Sequence, residues 1–113
     1  MKSIYRLKKN FQYNYVYKHA TSVADSNFVM LYCPSKGKGA ANSKVGFSVS
    51  KKYGKAVARN RIRRQLKAAV STVITSVRDG YNIIFIPRRH EPYLFNDVVS
   101  STRYLLKKAG LLQ

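Results

Sequence analysis

Between Lys44 and Ser50 the chain alternates: Val45, Phe47 and Val49 are apolar, whereas Lys44, Gly46, Ser48 and Ser50 are small or polar. A period of two predicts a strand with three side chains on the core and a second face open enough for a ligand. Gly46 on that face would allow close approach by a ligand or another backbone, although a bulge explains a strand glycine as often. After the turn Lys51 to Lys55 the period lengthens. Ala58, Ile62, Leu66, Ala69, Val73 and Val77 form one apolar stripe, which predicts a helix from about Ala56 to Val77. Two further apolar runs read as strands. FVMLYC, Phe28 to Cys33, ends at Pro34, and YNIIFIP, Tyr81 to Pro87, has the continuous apolar character of a central strand covered on both faces and parallel to an earlier one.

Upstream, Asn10 is placed to cap a short helix running to about Ala20. On a wheel of about 100° per residue, Val16, Ala20, Tyr13 and Tyr17 share one side, while Phe11 and Tyr15 lie opposite. Tyr13 and Tyr17 are compatible with packing on the sheet, hydroxyls outward, and equally with stacking on bases. Thr21 to Asn27 reads as a polar link, and SKGKGAANS, Ser35 to Ser43, as a flexible hairpin loop that lacks the GxxxxGK[ST] pattern of a phosphate-binding loop. A last helix is expected from about Tyr93 to Ala109, with Leu94, Val98, Leu105 and Ala109 on one side and Gly110 as its stop. The resulting order is α, β, β, α, β, α. It predicts one α+β sandwich domain over residues 1–113, a small central sheet with helices packed on it and no repeat.

Charge changes the picture most. Twenty-two Lys and Arg stand against four acids, a net charge of +18, in a chain whose 45% hydrophobic content still suits a folded core. Eight of the cations, Lys51, Lys52, Lys55, Arg59, Arg61, Arg63, Arg64 and Lys67, lie in one stretch without an Asp or Glu. Arg63, Lys67, Asn60, Arg64 and Arg61 occupy a contiguous arc of roughly 160° on the predicted helix, opposite its apolar stripe, and Arg59 falls nearer the apolar edge. A charge run is usually a solvated face. Cations near a helix N-terminus, however, oppose its dipole by about 0.3–1 kcal/mol each, a cost that bound phosphate would relieve. One-sided charge at that position points to a nucleic acid.

The chemistry of catalysis is missing. Asp25, Asp79, Glu91 and Asp97 are isolated, and no motif pairs a nucleophile with a base. His19 and His90 read as surface or phosphate-contacting residues, and with the single Cys33 they make neither a disulfide nor a zinc site. No catalytic and no metal-ligating residue is therefore expected in the protein, although Mg2+ could arrive with a nucleic acid, bound mainly through phosphates, and no organic cofactor is implied. A lone cysteine, no apolar run of membrane-spanning length and no apolar core in MKSIYRLKKN lead to the expectation of a cytoplasmic protein without a membrane partner.

SKKYGKAVARNRIRRQL, Ser50 to Leu66, resembles the hallmark of the bacterial ribonuclease P protein component, with its Arg-Asn-Arg core at Arg59, Asn60 and Arg61. LKKNFQYNYVYKHA resembles that family's first helix, and NIIFIPRR its last strand. The resemblance implies the protein subunit of a ribonucleoprotein endonuclease that removes the 5′ leader from precursor tRNA, with Mg2+-dependent hydrolysis performed by the RNA subunit. Its implied partners are that RNA and precursor tRNA, with no obligate protein partner. By motif, Lys51, Lys52, Arg59, Asn60, Arg61, Arg63, Arg64 and Lys67 would meet the RNA subunit or phosphates near the cleavage site. Tyr13 and Tyr17 would line a cleft, with Phe47, Ser48 and Lys55, for the single-stranded leader. The family also implies a left-handed β-α-β crossover, against the usual hand. Phe11 and Tyr15 depart from it, being aromatic where relatives are often polar. A ribosomal or general RNA-chaperone protein, a DNA-architectural protein and a self-sufficient nuclease are the other classes to separate.

Overall fold

The computed structural model describes residues 1–35, 42–90 and 92–113, so most of the hairpin loop expected over Ser35 to Ser43, and Glu91, lie outside the described residues. Helix α1 is Asn10–His19, followed by β1 (Thr21–Ala24), β2 (Phe28–Pro34), β3 (Lys44–Phe47), α2 (Ala56–Ser71), β4 (Tyr81–Pro87) and α3 (Phe95–Lys108). The predicted order holds, with one strand added. β1 occupies what reads as a polar link because it is a four-residue edge strand whose side chains are exposed or only half-buried, so it shows no apolar run to detect. What fixes it is main chain. It pairs antiparallel with β2 from Thr21↔Tyr32 to Ala24↔Val29, and the Asp25 carboxylate accepts the Asn27 and Phe28 amides, both at 2.8 Å, to close the hairpin.

The sheet order is β1-β2-β4-β3. β4 lies inside, antiparallel to β2 and parallel to β3, as its unbroken apolar run predicts. The parallel β3–α2–β4 connection in which the resemblance implies a left-handed crossover is present. β3 forms the other edge, where the Leu7 amide donates to the Val45 carbonyl at 3.0 Å and closes part of it.

Three boundaries differ from expectation. Asn10 is the first helical residue of α1 rather than its cap; Lys9 holds that position, and its amide donates to Gln12 Oε1 at 3.2 Å. α2 stops at Ser71, not Val77. The stretch Thr72 to Val77 is mostly β-branched and a poor helix former, so it winds into a 3₁₀ turn at Ile74–Ser76 and bridges Val77 to Leu112. Val73 and Val77 remain buried, which is why the stripe continues past the helix end. At α3, Leu94 sits at the cap position and is 70% exposed, outside the apolar face, while Val98 and Leu105 are fully buried. Gly110 ends this helix with a φ of 75°, a conformation that favours glycine.

Helices cover both faces of the sheet. Phe28, Met30, Val45, Ile83 and Phe85 point toward α2 and α3 and pack with Ile62, Leu66, Val98 and Leu105. Leu7, Val16, Cys33 and Ile84 form a smaller core beneath α1. Burial pushes the Cys33 thiol above its usual pKa, away from reactive thiolate. Tyr93 ties α3 to the β1–β2 hairpin: its ring stacks on Phe28 at 5.1 Å, and its hydroxyl lies 3.0 Å from the Asn27 carbonyl and 2.9 Å from that of Arg89. Tyr93→Phe is expected to cost about 1 kcal/mol, read as a lower urea midpoint at unchanged m-value.

Candidate nucleic-acid interface

Asn10, Tyr13, Asn14 and Tyr17 recur at i, i+3, i+4 and i+7 along α1 and form one wall of a groove of about 460 Å³. Ser48 and Val49, at the end of β3, and Arg63 of α2 line the other side. The groove exists because α1 packs on β2 and β4 and reaches over β3 with the Tyr13 side chain. Tyr13 lies across Gly46, and a Cβ there would fall 2.6 Å from Tyr13 Cζ and 2.9 Å from Cε1. The close approach that Gly46 permits is thus made by the Tyr13 side chain. The sheet face expected to be open is covered there, and the accessible surface begins beside it.

The two tyrosine rings stand 6.4 Å apart, inclined by 47°. Tyr17 is 48% exposed and its hydroxyl donates to Ser48 Oγ at 3.0 Å. Tyr13 is half-buried. Burial raises its pKa, and the Phe47 backbone hydrogen bond and the Arg6 and Arg63 guanidiniums only partly oppose this. Tyr13 therefore stays neutral at physiological pH, an uncharged ring beside a cation. Phe47 lines this groove too, beside Ser48. Its ring packs on Phe85 at 6.4 Å, and its backbone meets the tyrosine.

The residues of the basic stretch divide into four groups. Asn60, Arg61 and Arg64 are exposed on the outer face of α2. Arg63 turns toward the groove, with Nη2 3.4 Å from the Val49 carbonyl and Nη1 3.3 Å from Asn60 Oδ1, and Lys67 borders an adjoining recess with Tyr13 and Gly46. Arg59 folds back to donate to the Gly54 carbonyl at 3.1 Å. Lys51 and Lys52 are exposed on the 3₁₀ turn Lys51–Tyr53, and Lys55 is exposed at the N-cap of α2, outside the lining of the groove. No acid occupies the first turn of α2.

Two sets of residues extend this surface beyond the sequence expectation. Asn10 and Asn14 were legible in the same helical period as the tyrosines. Beyond Ser48 and Val49 a second basin of about 220 Å³ opens at the C-terminal ends of the parallel strands, bordered by Lys52, Arg88, Arg89 and His90. The run Pro-Arg-Arg directly after β4 was its signal. His90 Nδ1 lies 2.6 Å from the Tyr53 carbonyl, which holds the imidazole at the rim. The described carboxylates are elsewhere: Asp25 closes the β1–β2 turn, Asp79 precedes β4, and Asp97 lies in the first turn of α3, where the helix dipole favours it. Among the described residues no three His, Cys, Asp or Glu side chains form a group able to hold a metal, and no helix is long and apolar enough to cross a membrane.

Comparison with known proteins adds an independent observation. The family model described as ribonuclease P matches residues 1–110. The ribonuclease P protein component of Clostridium kluyveri is 37% identical over 111 residues, covering 96% of each chain. That of Clostridioides difficile is 38% identical over 107 residues, 93% of this chain and 91% of the relative. Among solved structures, the Staphylococcus aureus RNase P protein aligns with a TM-score of 0.83 at 32% identity, over 96% of this chain and 98% of the other. The Thermotoga maritima protein gives 0.79 at 27% identity, over 91% and 96%.

Proposed function

The chain belongs to the ribonuclease P protein family, and from this we propose that it is the protein subunit of a ribonucleoprotein that removes the 5′ leader from precursor tRNA. The observation that carries the reading is the junction at Arg63. There a tyrosine-lined groove meets an acid-free basic helix. In this reading Asn60, Arg61 and Arg64 grip the catalytic RNA from the outer face of α2, with Lys51, Lys52 and Lys67 adding counter-charge. Arg59 shapes the turn that presents them, and Arg63 faces both RNAs. The leader lies over Tyr13, Tyr17 and Ser48, with Lys55 beyond the groove attracting its phosphates. Stacking on tyrosine tolerates any base, which suits leaders of unrelated sequence.

The protein's own part is binding and charge neutralisation. The described carboxylates, Asp25, Asp79 and Asp97, are dispersed and do not fit a magnesium cage, so no hydrolytic step is assigned to a protein-held ion; Mg2+ is expected on RNA phosphates. The assembly belongs in the cytoplasm, where tRNA precursors occur. Reconstitution tests the whole reading. Adding this chain to a matched RNA subunit at low Mg2+ is expected to raise 5′ cleavage of precursor tRNA at least tenfold, about 1.4 kcal/mol, while the chain alone cleaves nothing. No gain would favour a general RNA chaperone, cleavage without RNA subunit a protein nuclease, and preference for duplex DNA over precursor at fixed salt an architectural protein.

A further inference from the structure

Helix α1 has a second aromatic flank that the groove does not use. Phe11, Tyr15 and His19 recur at i, i+4 and i+8, about 160° round the helix from the Tyr13 and Tyr17 side. Phe11 is 67% exposed, and the Tyr15 and His19 rings lie 4.4 Å apart, inclined by 39°. Beside Phe11 and Tyr15 a recess of about 230 Å³ has the Gln12 and Asn82 amides on its border. Gln12 Oε1 already accepts the Lys9 amide, which leaves its NH2 and the Asn82 amide to hydrogen-bond a base edge beside the rings. Tyr15 also packs against the smaller core beneath α1, but the exposed Phe11 belongs to neither core cluster.

We propose that this flank is a second stacking surface, taking an unpaired nucleobase of RNA. The proposal rests on the ribonucleoprotein reading above and extends it to a face opposite the leader groove. Charge complementarity selects the occupant. Lys8, Lys9 and Lys18 are exposed around the flank, and the first carboxylate of the entire chain is Asp25. A polyanion offering flat, apolar faces matches both properties together. The base belongs to the catalytic RNA, since the leader is assigned to the groove on the opposite side of α1, and separate binding measurements test this source against the substrate.

The test uses the full chain with Phe11→Ala, Phe11→Leu and Phe11→Tyr, a position exposed enough to leave folding intact. Affinity is measured for the RNA subunit alone and, in holoenzyme, for leader-bearing precursor tRNA. Ala and Leu are expected to weaken binding of the RNA subunit by about tenfold, with Tyr retaining affinity, because stacking needs a ring and not merely apolar area. Unchanged affinity for the RNA subunit, or a loss confined to the precursor arm, would overturn the proposal. So would retention by Leu of what Ala loses, or loss of self-association on sedimentation with RNA affinity intact, since each marks a protein contact. The parent chain's stimulation of cleavage is the control: if it persists, only the second surface is rejected, and if it is absent, the ribonucleoprotein reading fails first.

Discussion

Tyr13→Ala is expected to weaken holoenzyme binding of leader-bearing precursor tRNA by about five- to a hundredfold, the equivalent of one base stack, and to leave mature tRNA unaffected. The ring borders the groove, its phenol is held neutral by burial, and it has Tyr17 at 6.4 Å as a second platform. Equal loss for precursor and mature tRNA would remove Tyr13 from leader recognition. Gly46 supplies a stricter check. A side chain there collides with the Tyr13 ring, so Gly46→Ala must displace the ring, at about 1–3 kcal/mol of stability if the site resists. It should reproduce most of the Tyr13→Ala binding defect. In a Tyr13→Ala background the same change has nothing to displace, and its cost should fall toward zero. Additive losses in that cycle would mean that Gly46 acts through something other than the tyrosine.

Replacing Arg61 and Arg64 together with alanine is expected to lower affinity for the RNA subunit by about ten- to a hundredfold, as charged contacts are worth about 1.5–3 kcal/mol each and are not additive. The salt dependence gives the clearer readout. If both side chains neutralise phosphates, the slope of log K against log salt should shrink by roughly 1.4 to 1.8. Both residues are exposed on α2, and the change lowers a net charge of +18. Lower affinity at unchanged slope would place these arginines away from the phosphates.

The strongest periodic patterns in the sequence correspond to the buried parts of the structure. YNIIFIP is covered on both faces and reads as an interior strand, and Ile62, Leu66 and Ala69 lie on the core side of α2. β1 escaped because an edge strand can be held by main-chain pairing and one Asx turn while its side chains stay solvated. The helix limit at Ser71 was hidden by apolar spacing that outlasts the helix. In the site, composition placed the charge correctly on α2 but could not say which way each arginine turns. Arg59 bends to Gly54 and Arg63 toward the groove, outcomes set by carbonyls brought near only by folding. The role of Gly46 as the seat of Tyr13 was equally out of reach, since it depends on where α1 lands.

The unequal size of the two cores has a mechanical consequence. α2 and α3 share a broad apolar foundation with most of the sheet, whereas α1 sets Val16 on Leu7, Cys33 and Ile84. A ten-residue helix has little stability of its own, so α1 is the element that detaches at the lowest free energy, with its amides exchanging hydrogen ahead of those in α2. On the function proposed above, one side of the molecule would breathe to admit and release successive strands while the arginine-bearing side keeps its shape.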